Sequence, residues 1–536
     1  MTPAAGHDVR RVIRRRLRHP ARGACAAALA LAAVLLWKAA AEDFAPDEGF
    51  TVRRIEAAWA QVYFPFAVRV WGTADPFDTR HVYDMNPPLY FALVRVLAGA
   101  HPGRVVLRLF SIAPMVAGLL LLAAAARHEG AVGRDAVNCG GEPAPAAPSL
   151  SCPDRRSVLT PSVRAGEMAV IAAWALSPAV WFYGHEARPY ALALCVVCAM
   201  VFALRRWGAS PVRLAAVMCL AGIAGLLLHF QFVWVLAALW IVSAVLLRPG
   251  VWWAKPEAVR AASAWLFVGV IVCGLVLAPQ SPMWGILRRS PSLQMDWNVL
   301  QRSLVYPLIG PLQPLGARHV TAALVFQAVL LMGALTLLPG ARGRRAWGGL
   351  ALALWLVPTL GPILVHVVGG AAFFERYTLL GLPGWALVLG WVVREAVERR
   401  GWLHDVGALL VFALGFNAFS LGIARLPEPL RQRWTPAVKA LLEQSRAGDY
   451  YIIEPEWQGI AFAANAGRKP AAAFLAPDAP VPADARTIWF VCDDWLPQWI
   501  HERFLNRGWR IEPVVPYQGK YLWKLTRSAD GSPSSG

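Results

Sequence analysis

The residues best able to do chemistry are carboxylates and guanidinium groups lying within a few residues of long apolar blocks, because an ionisable group at a membrane edge is costly and needs a reason to be there. Asp47 and Glu48 stand in Phe44-Ala45-Pro46-Asp47-Glu48-Gly49-Phe50, just past the first such block. Tyr183-Gly184-His185-Glu186-Ala187-Arg188-Pro189-Tyr190 makes a charged hairpin between two later blocks, and Phe373-Phe374-Glu375-Arg376-Tyr377 opens another. On one bilayer edge these clusters suit a substrate with a lipid tail, a phosphate and a polar head, with cations for the phosphate and a carboxylate for a hydroxyl nucleophile. Each cluster has a plainer alternative. Asp47-Glu48 is also what a helix N-terminus collects, and the Tyr183–Tyr190 hairpin is also a tight interfacial turn with an aromatic belt and a Glu/Arg pair. His229 lies at a block end, where an isolated His is more often structural. Asp47, Glu48, His185 and Glu186 offer oxygen and nitrogen ligands to a divalent metal, but no spacing of the HExxH kind selects one.

The elements that must position these residues are membrane helices. The 536-residue chain is 57% hydrophobic and 16% charged, where a soluble domain carries about 25% charge. Its mean hydropathy is +0.45. This excludes an ordinary soluble enzyme. A net charge of +19 raises nucleic-acid binding, but the basic residues flank apolar blocks and no nucleic-acid-binding signature is present. The eight cysteines are too few and too scattered for a disulfide framework, and Cys195 and Cys198 lie within an apolar helix as small core residues.

Apolar blocks begin with span 1 at Gly23–Trp37, read as an uncleaved anchor. They continue over 104–126, 166–184, 188–204, 212–229, 231–247, 261–279, 319–339, 346–368, 376–393 and 405–424. That makes about eleven, each near the ~20 residues a crossing helix needs. Arg127, Arg155, Arg205, Arg213, Arg248, Arg344 and Arg394 fall on the side of the arginine-rich tail, which puts that tail in the cytoplasm and the C-terminus outside. Pro87–Ala100 is too short to span and is expected to be an interfacial or re-entrant helix. The fold expected is mainly α and polytopic. A basic tail (1–22) leads into a membrane domain (23–425) with an outer loop (42–103); a small extracytoplasmic α/β domain (426–527) and a disordered tail (528–536) follow. In the outer domain, Trp434–Ser445 and Asp494–Arg507 read as helices, and Tyr450–Ile453, Thr487–Val491 and Tyr521–Leu525 as strands.

Taken in order on one membrane face, Asp47-Glu48, Asn86-Pro87-Pro88-Leu89-Tyr90, Glu186-Ala187-Arg188-Pro189-Tyr190 and Arg376-Tyr377 resemble the GT-C polytopic glycosyltransferases of the protein O-mannosyltransferase and aminoarabinose-transferase group, glycosyltransferase family 39-like. Gly448-Asp449-Tyr450-Tyr451-Ile452-Ile453 is similar to the first strand of the outer domain of bacterial members. The resemblance implies sugar transfer from a polyprenyl-phosphate carrier to a lipid, glycan or protein acceptor. Asp47 would act as base and Glu48 in support; Glu186 would line the acceptor or sugar site, and Arg188 and Arg376 would take the phosphate. Tyr190, Tyr377, Asn86 and His229 would complete the substrate-binding set. Asn86 departs from relatives that place a basic or titratable residue there, since Asn neither titrates nor carries charge.

The chemistry stands without the resemblance. Polyprenyl phosphate leaves readily when cations spread its developing charge, and no nucleotide-binding motif is then required; the chain has no GxxxxGK[ST] and no Rossmann fingerprint. A secondary transporter or lipid flippase is the alternative class, using membrane carboxylates as relays. A non-catalytic assembly protein is the third. The expected membrane is a bacterial inner membrane, with the endoplasmic reticulum as the alternative.

Overall fold

The computed structural model describes residues 20–59, 62, 75–77, 86–127, 160–207, 211–245, 297–310, 317–338, 342–369, 373–399, 434–454, 458–492, 497–515 and 521–527, with a few isolated positions between 405 and 413. Residues 1–19 of the basic tail, the expected span at 261–279, most of that at 405–424, Arg155 and the last nine residues lie outside this set.

The chain begins with α1 (Pro20–Ala41), α2 (Pro46–Glu56), α3 (Leu89–Ala98) and α4 (Arg104–Arg127). There follow α5 (Pro161–Ala175), α6 (Pro178–Gly184), α7 (Tyr190–Trp207), α8 (Pro211–Leu228) and α9 (Phe232–Val245). Then come α10 (Ala317–Leu337), α11 (Arg342–Gly369) and α12 (Leu382–Arg399), the last entered through a 3₁₀ turn at Glu375–Gly381. The C-terminal part holds α13 (Thr435–Gln444), β1 (Tyr450–Glu454), α14 (Gly459–Ala466), β2 (Ala473–Phe474), β3 (Thr487–Cys492), β4 (Trp509–Val515) and β5 (Tyr521–Arg527). Among the described residues five helical segments are long and apolar enough to cross a bilayer: Arg22–Ala41, Arg104–Arg127, Ala317–Leu337, Trp347–Val368 and Glu375–Arg399. A sixth is reached if α5 and α6 count as one span, so the described residues do not reach the eleven expected.

The block 166–184 is not the continuous span its hydropathy suggests. It bends by 55° between α5 and α6. Pro178 removes an N–H and pushes Ser177 into an extended conformation (φ −66°, ψ 123°), and α5 ends at Ala175 with Leu176 as its C-cap. Ser177 then donates its hydroxyl to the Pro307 carbonyl at 2.6 Å. The segment 87–100 does give a short helix, the ten-residue α3.

The chain divides into two compact units. The first comprises residues 1–36, 109–185 and 189–424, and it is a helical bundle. Helices α5 and α12 cross closely: a Cβ on Gly166 would meet the Gly390 carbonyl at 2.8 Å, and a Cβ on Gly390 would meet the Gly166 carbonyl at the same distance. Small residues let two backbones touch in this way when apolar surroundings supply no other drive for association.

The second unit comprises residues 37–108, 186–188 and 425–536. Its centre is a mixed five-stranded sheet in the order β2-β1-β3-β5-β4, parallel across β2-β1-β3 and antiparallel across β3-β5-β4. Alternation along β1 and β3 fills both faces. Tyr451, Ile453, Trp489 and Val491 join Trp434, Leu441 and Phe462 on one side, and Ile452, Ile488 and Phe490 join Phe504 and Trp509 on the other. The sequence reading missed β4, which carries Pro513 at a register shift on the sheet edge, where a missing N–H is tolerated. Among the described residues of the expected helix 494–507, Gln498–Arg503 is helical and Leu505–Arg507 forms a 3₁₀ turn.

The first-loop segment is fastened to this sheet domain by polar contacts. Asp43 accepts from the Thr435 backbone N–H (2.8 Å) and hydroxyl (2.6 Å), taking up an otherwise orphan donor at the start of α13. Asn465 of α14 bonds both backbone groups of Phe44, at 2.8 and 2.9 Å. A Cβ on Gly49 would come within 2.9 Å of Ile460 and Ala461 backbone atoms, so only glycine lets α2 lie this close to α14. Asp75 bonds Lys469 and accepts from Tyr451 at 3.3 Å; burial first, and then this carboxylate, raise the Tyr451 pKa and keep its hydroxyl a donor.

Candidate functional site

In the second unit the polar residues of the candidate site are organised by two arginines that the sequence reading did not single out. Arg108, in the second turn of α4, is fully buried and uses all five of its N–H donors. Nη1 donates to the carbonyls of Ala39 and Glu42, both at 2.8 Å, and Nη2 to that of Asp43 at 2.8 Å. These are backbone acceptors at the end of α1, where the helix presents unpaired carbonyls and the negative end of its dipole. The remaining donors make a two-pronged pair with Glu48, Nε to Oε1 at 2.9 Å and Nη2 to Oε2 at 2.7 Å.

Glu48 is also fully buried and accepts from two more donors: the Ala45 backbone N–H on Oε2 (3.0 Å) and the Ala187 backbone N–H on Oε1 (2.8 Å). A carboxylate has about four acceptor positions, so these donors fill it. Glu48 thereby ties three distant stretches together: the start of α2, the second turn of α4, and the Glu186-Ala187-Arg188 turn.

Asp47, one residue earlier in the first turn of α2, is only half-buried. Glu186 and Arg188 are buried on either side of Ala187. The Arg188 N–H donates to the Glu186 carbonyl (2.7 Å), which makes the turn tight, and the Arg188 guanidinium reaches toward Thr51 of α2 at 3.5 Å. Asn86 is placed through its carbonyl, which accepts from Arg54 Nη1 at 2.6 Å. Arg54, buried in α2, also holds the Val62 carbonyl through Nε (3.0 Å) and Nη2 (2.8 Å) and stacks over Phe91 of α3 at 4.1 Å. Arg95 of α3 donates in turn to the Ile55 and Ala57 carbonyls at the end of α2. The structure therefore brings Glu48, Asn86, Glu186 and Arg188 onto one framework around α2, the helix that also carries Asp47.

The other predicted residues belong to the first unit. His229 is buried with its ring against Tyr190 (5.2 Å) and Tyr377 (6.2 Å), and its Nδ1 accepts from the Gln231 N–H at 3.3 Å. Tyr190 packs on Tyr183, whose hydroxyl is hydrogen-bonded to that of Tyr306. Arg376 lies over the Phe374 ring at 4.5 Å, and Glu375 pairs with Arg302 at 2.8 Å. His185 Nδ1 donates to the Trp181 carbonyl at 2.6 Å. Among the described residues no three His, Cys, Asp or Glu side chains are grouped to hold a metal ion, so Asp47, Glu48, His185 and Glu186 do not form such a set.

Arg108 had a signal in the sequence. Arg108 is a cation inside an otherwise apolar block, which asks for a buried partner.

The fold is shared with a solved structure. ArnT from Cupriavidus metallidurans in the apo state superposes with a TM-score of 0.50 over 94% of this chain and 98% of that one, at 12% identity. The chain has the GT-C fold of the ArnT kind. The same ArnT bound to undecaprenyl phosphate gives a TM-score of 0.48 at 13% identity, covering 96% of this chain and 99% of that one. Archaeal oligosaccharyltransferase AglB from Archaeoglobus fulgidus, in complex with an inhibitory peptide and a dolichol-phosphate, gives 0.45 at 12% identity, covering 96% and 75%. The GT-C assignment rests on the apo ArnT structure. No family model and no curated protein matches by sequence. With its apolar helices and this GT-C fold, the chain is an integral membrane protein.

Proposed function

We propose that the protein is a membrane glycosyltransferase that moves a sugar from a polyprenyl-phosphate-linked donor to an acceptor hydroxyl at the extracytoplasmic face. The observation that carries this reading is the contrast between adjacent carboxylates: Glu48 is filled by four donors, while Asp47 stands half-buried beside it at the positive end of α2. Asp47 takes the acceptor proton as the new glycosidic bond forms; the bond between the sugar and the phosphate oxygen breaks, and polyprenyl phosphate leaves. Glu48 orients the loop. Arg188 and Arg376 are the cations assigned to phosphate, and Glu186, Tyr190, Tyr377, Asn86 and His229 are assigned to substrate. In the same reading the membrane is a bacterial inner membrane, the N-terminal tail is cytoplasmic and the domain after residue 426 is outside.

Asp47→Asn keeps size and one acceptor oxygen but cannot take a proton at working pH. We expect it to bind donor and lose transfer by roughly 10²–10⁴-fold. Arg188→Ala and Arg376→Ala each raise the donor KM, and Lys restores only part, because it lacks the planar fork. Unchanged transfer in Asp47→Asn removes the base from this position.

One observation favours a second reading. A helix broken as α5 and α6 are is a device of secondary transporters, so a lipid-sugar flippase is the competing function. Assaying glycosidic product, rather than growth, separates the two.

A further inference from the structure

The basic ends of the bundle helices in the first unit converge. Arg127 closes α4 and bonds Glu167 of α5 at 2.5 Å. Arg164 lies one turn before Glu167 on α5, on the same helix face. Arg394 of α12 packs beside them, its Cβ 3.0 Å from where a Cβ of Gly166 would stand. Arg127, Arg164 and the backbone end of Arg394 thus gather at one junction of α4, α5 and α12, where the buried Glu167 is bonded by Arg127 and also feels the charge of Arg164. The nearby Glu395 is paired with Arg399 at 3.3 Å, and Glu398 lies on the same last turn of α12.

Arg164 is the member that calls for a ligand. Its Nε is buried without a hydrogen-bond partner, and among the described residues its guanidinium makes no hydrogen bond, although its charge acts on Glu167 one turn along. The side chain is nevertheless part-exposed, so its terminal nitrogens can be reached. Four positions along α5, Met168 is 52% exposed, an apolar surface beside the cations. A cation with spare donors at a helix end, next to exposed hydrocarbon, matches the two parts of an anionic lipid: a phosphate for the guanidinium and an acyl chain for the apolar face.

We propose that the junction of α4, α5 and α12 binds the headgroup phosphate of an anionic bilayer phospholipid, with Arg164 as the principal ligand. This site is independent of the transfer reaction. The test is native mass spectrometry of the delipidated full-length protein in detergent with equal phosphatidylglycerol and phosphatidylcholine. Wild type is expected to retain phosphatidylglycerol over phosphatidylcholine. Arg164→Gln is expected to lower that retention about fivefold, the scale of one arginine's attraction to an anionic surface, and Arg164→Lys to keep most of it. A thermal midpoint raised by phosphatidylglycerol in wild type but not in Arg164→Gln, with the lipid-free midpoints equal, is the second expected reading. Equal retention in Arg164→Gln overturns the proposal. So does the same stabilisation from inorganic phosphate alone, which would make the site one for free anion.

Discussion

Removing the Glu48 carboxylate leaves Arg108 buried with two donors facing nothing, and it also releases the Ala187 N–H that holds the 186–188 turn. Breaking a buried ion pair by deleting one partner commonly costs about 3–5 kcal/mol, so Glu48→Ala should lower the thermal midpoint sharply, and Arg108→Ala should do the same. Glu48→Gln substitutes an amide donor for one acceptor and should fall between. This revises the expectation that changing Glu48 matters less than changing Asp47: Glu48 acts on stability first. Loss of activity in Glu48→Gln at an unchanged midpoint would reassign chemistry to it. At this scale the sequence showed the carboxylates because Asp47 and Glu48 are adjacent and close to an apolar block. It hid their partners, because Arg108 lies 60 residues from Glu48 and Ala187 lies 139 away. Burial of that kind comes only from the fold.

Helices α5 and α12 cross through paired glycines, so a side chain at either position must push backbone apart. Gly390→Val should destabilise the bundle by about 1–3 kcal/mol or more, as overpacking does, and should show as poor yield and a lowered midpoint in detergent. A variant as stable as wild type would mean the crossing relaxes freely. In the second unit, Asp43→Ala deprives the first turn of α13 of its acceptor and should cost about 0.5–2 kcal/mol, the usual range for losing a cap, read as a drop in the midpoint. Periodicity gave α13, β1, β3 and β5 within a few residues, since both faces of β1 and β3 alternate into a core. It did not give the break at Ser177, although Pro178 was in plain view, because hydropathy runs through a proline without registering it. Nor did it give β4, whose Arg510, Glu512 and Pro513 read as loop.

At the scale of the whole chain, the proposed topology, with the N-terminal tail cytoplasmic and the domain after residue 426 extracytoplasmic, is open to a direct labelling test. Lys439 is 70% exposed on α13, so a cysteine there, in a background with the native cysteines masked, should be labelled by an impermeant reagent added from the extracytoplasmic side; labelling from the cytoplasmic side alone would invert the topology. The GT-C architecture was legible through the order of short polar motifs between apolar blocks. Which sugar and which acceptor are used depends on pocket shape, and no motif carries that. Sugar transfer from a lipid carrier is measured by incubating the purified, reconstituted protein with a panel of polyprenyl-phosphate-linked hexoses and pentoses together with lipid, glycan and peptide acceptors, and detecting glycosidic product by mass spectrometry. The account predicts product from at least one lipid-linked donor, none from nucleotide sugars alone, and a fall of roughly 10²–10⁴-fold in Asp47→Asn. Movement of the lipid-linked sugar across the bilayer with no glycosidic product formed would contradict it.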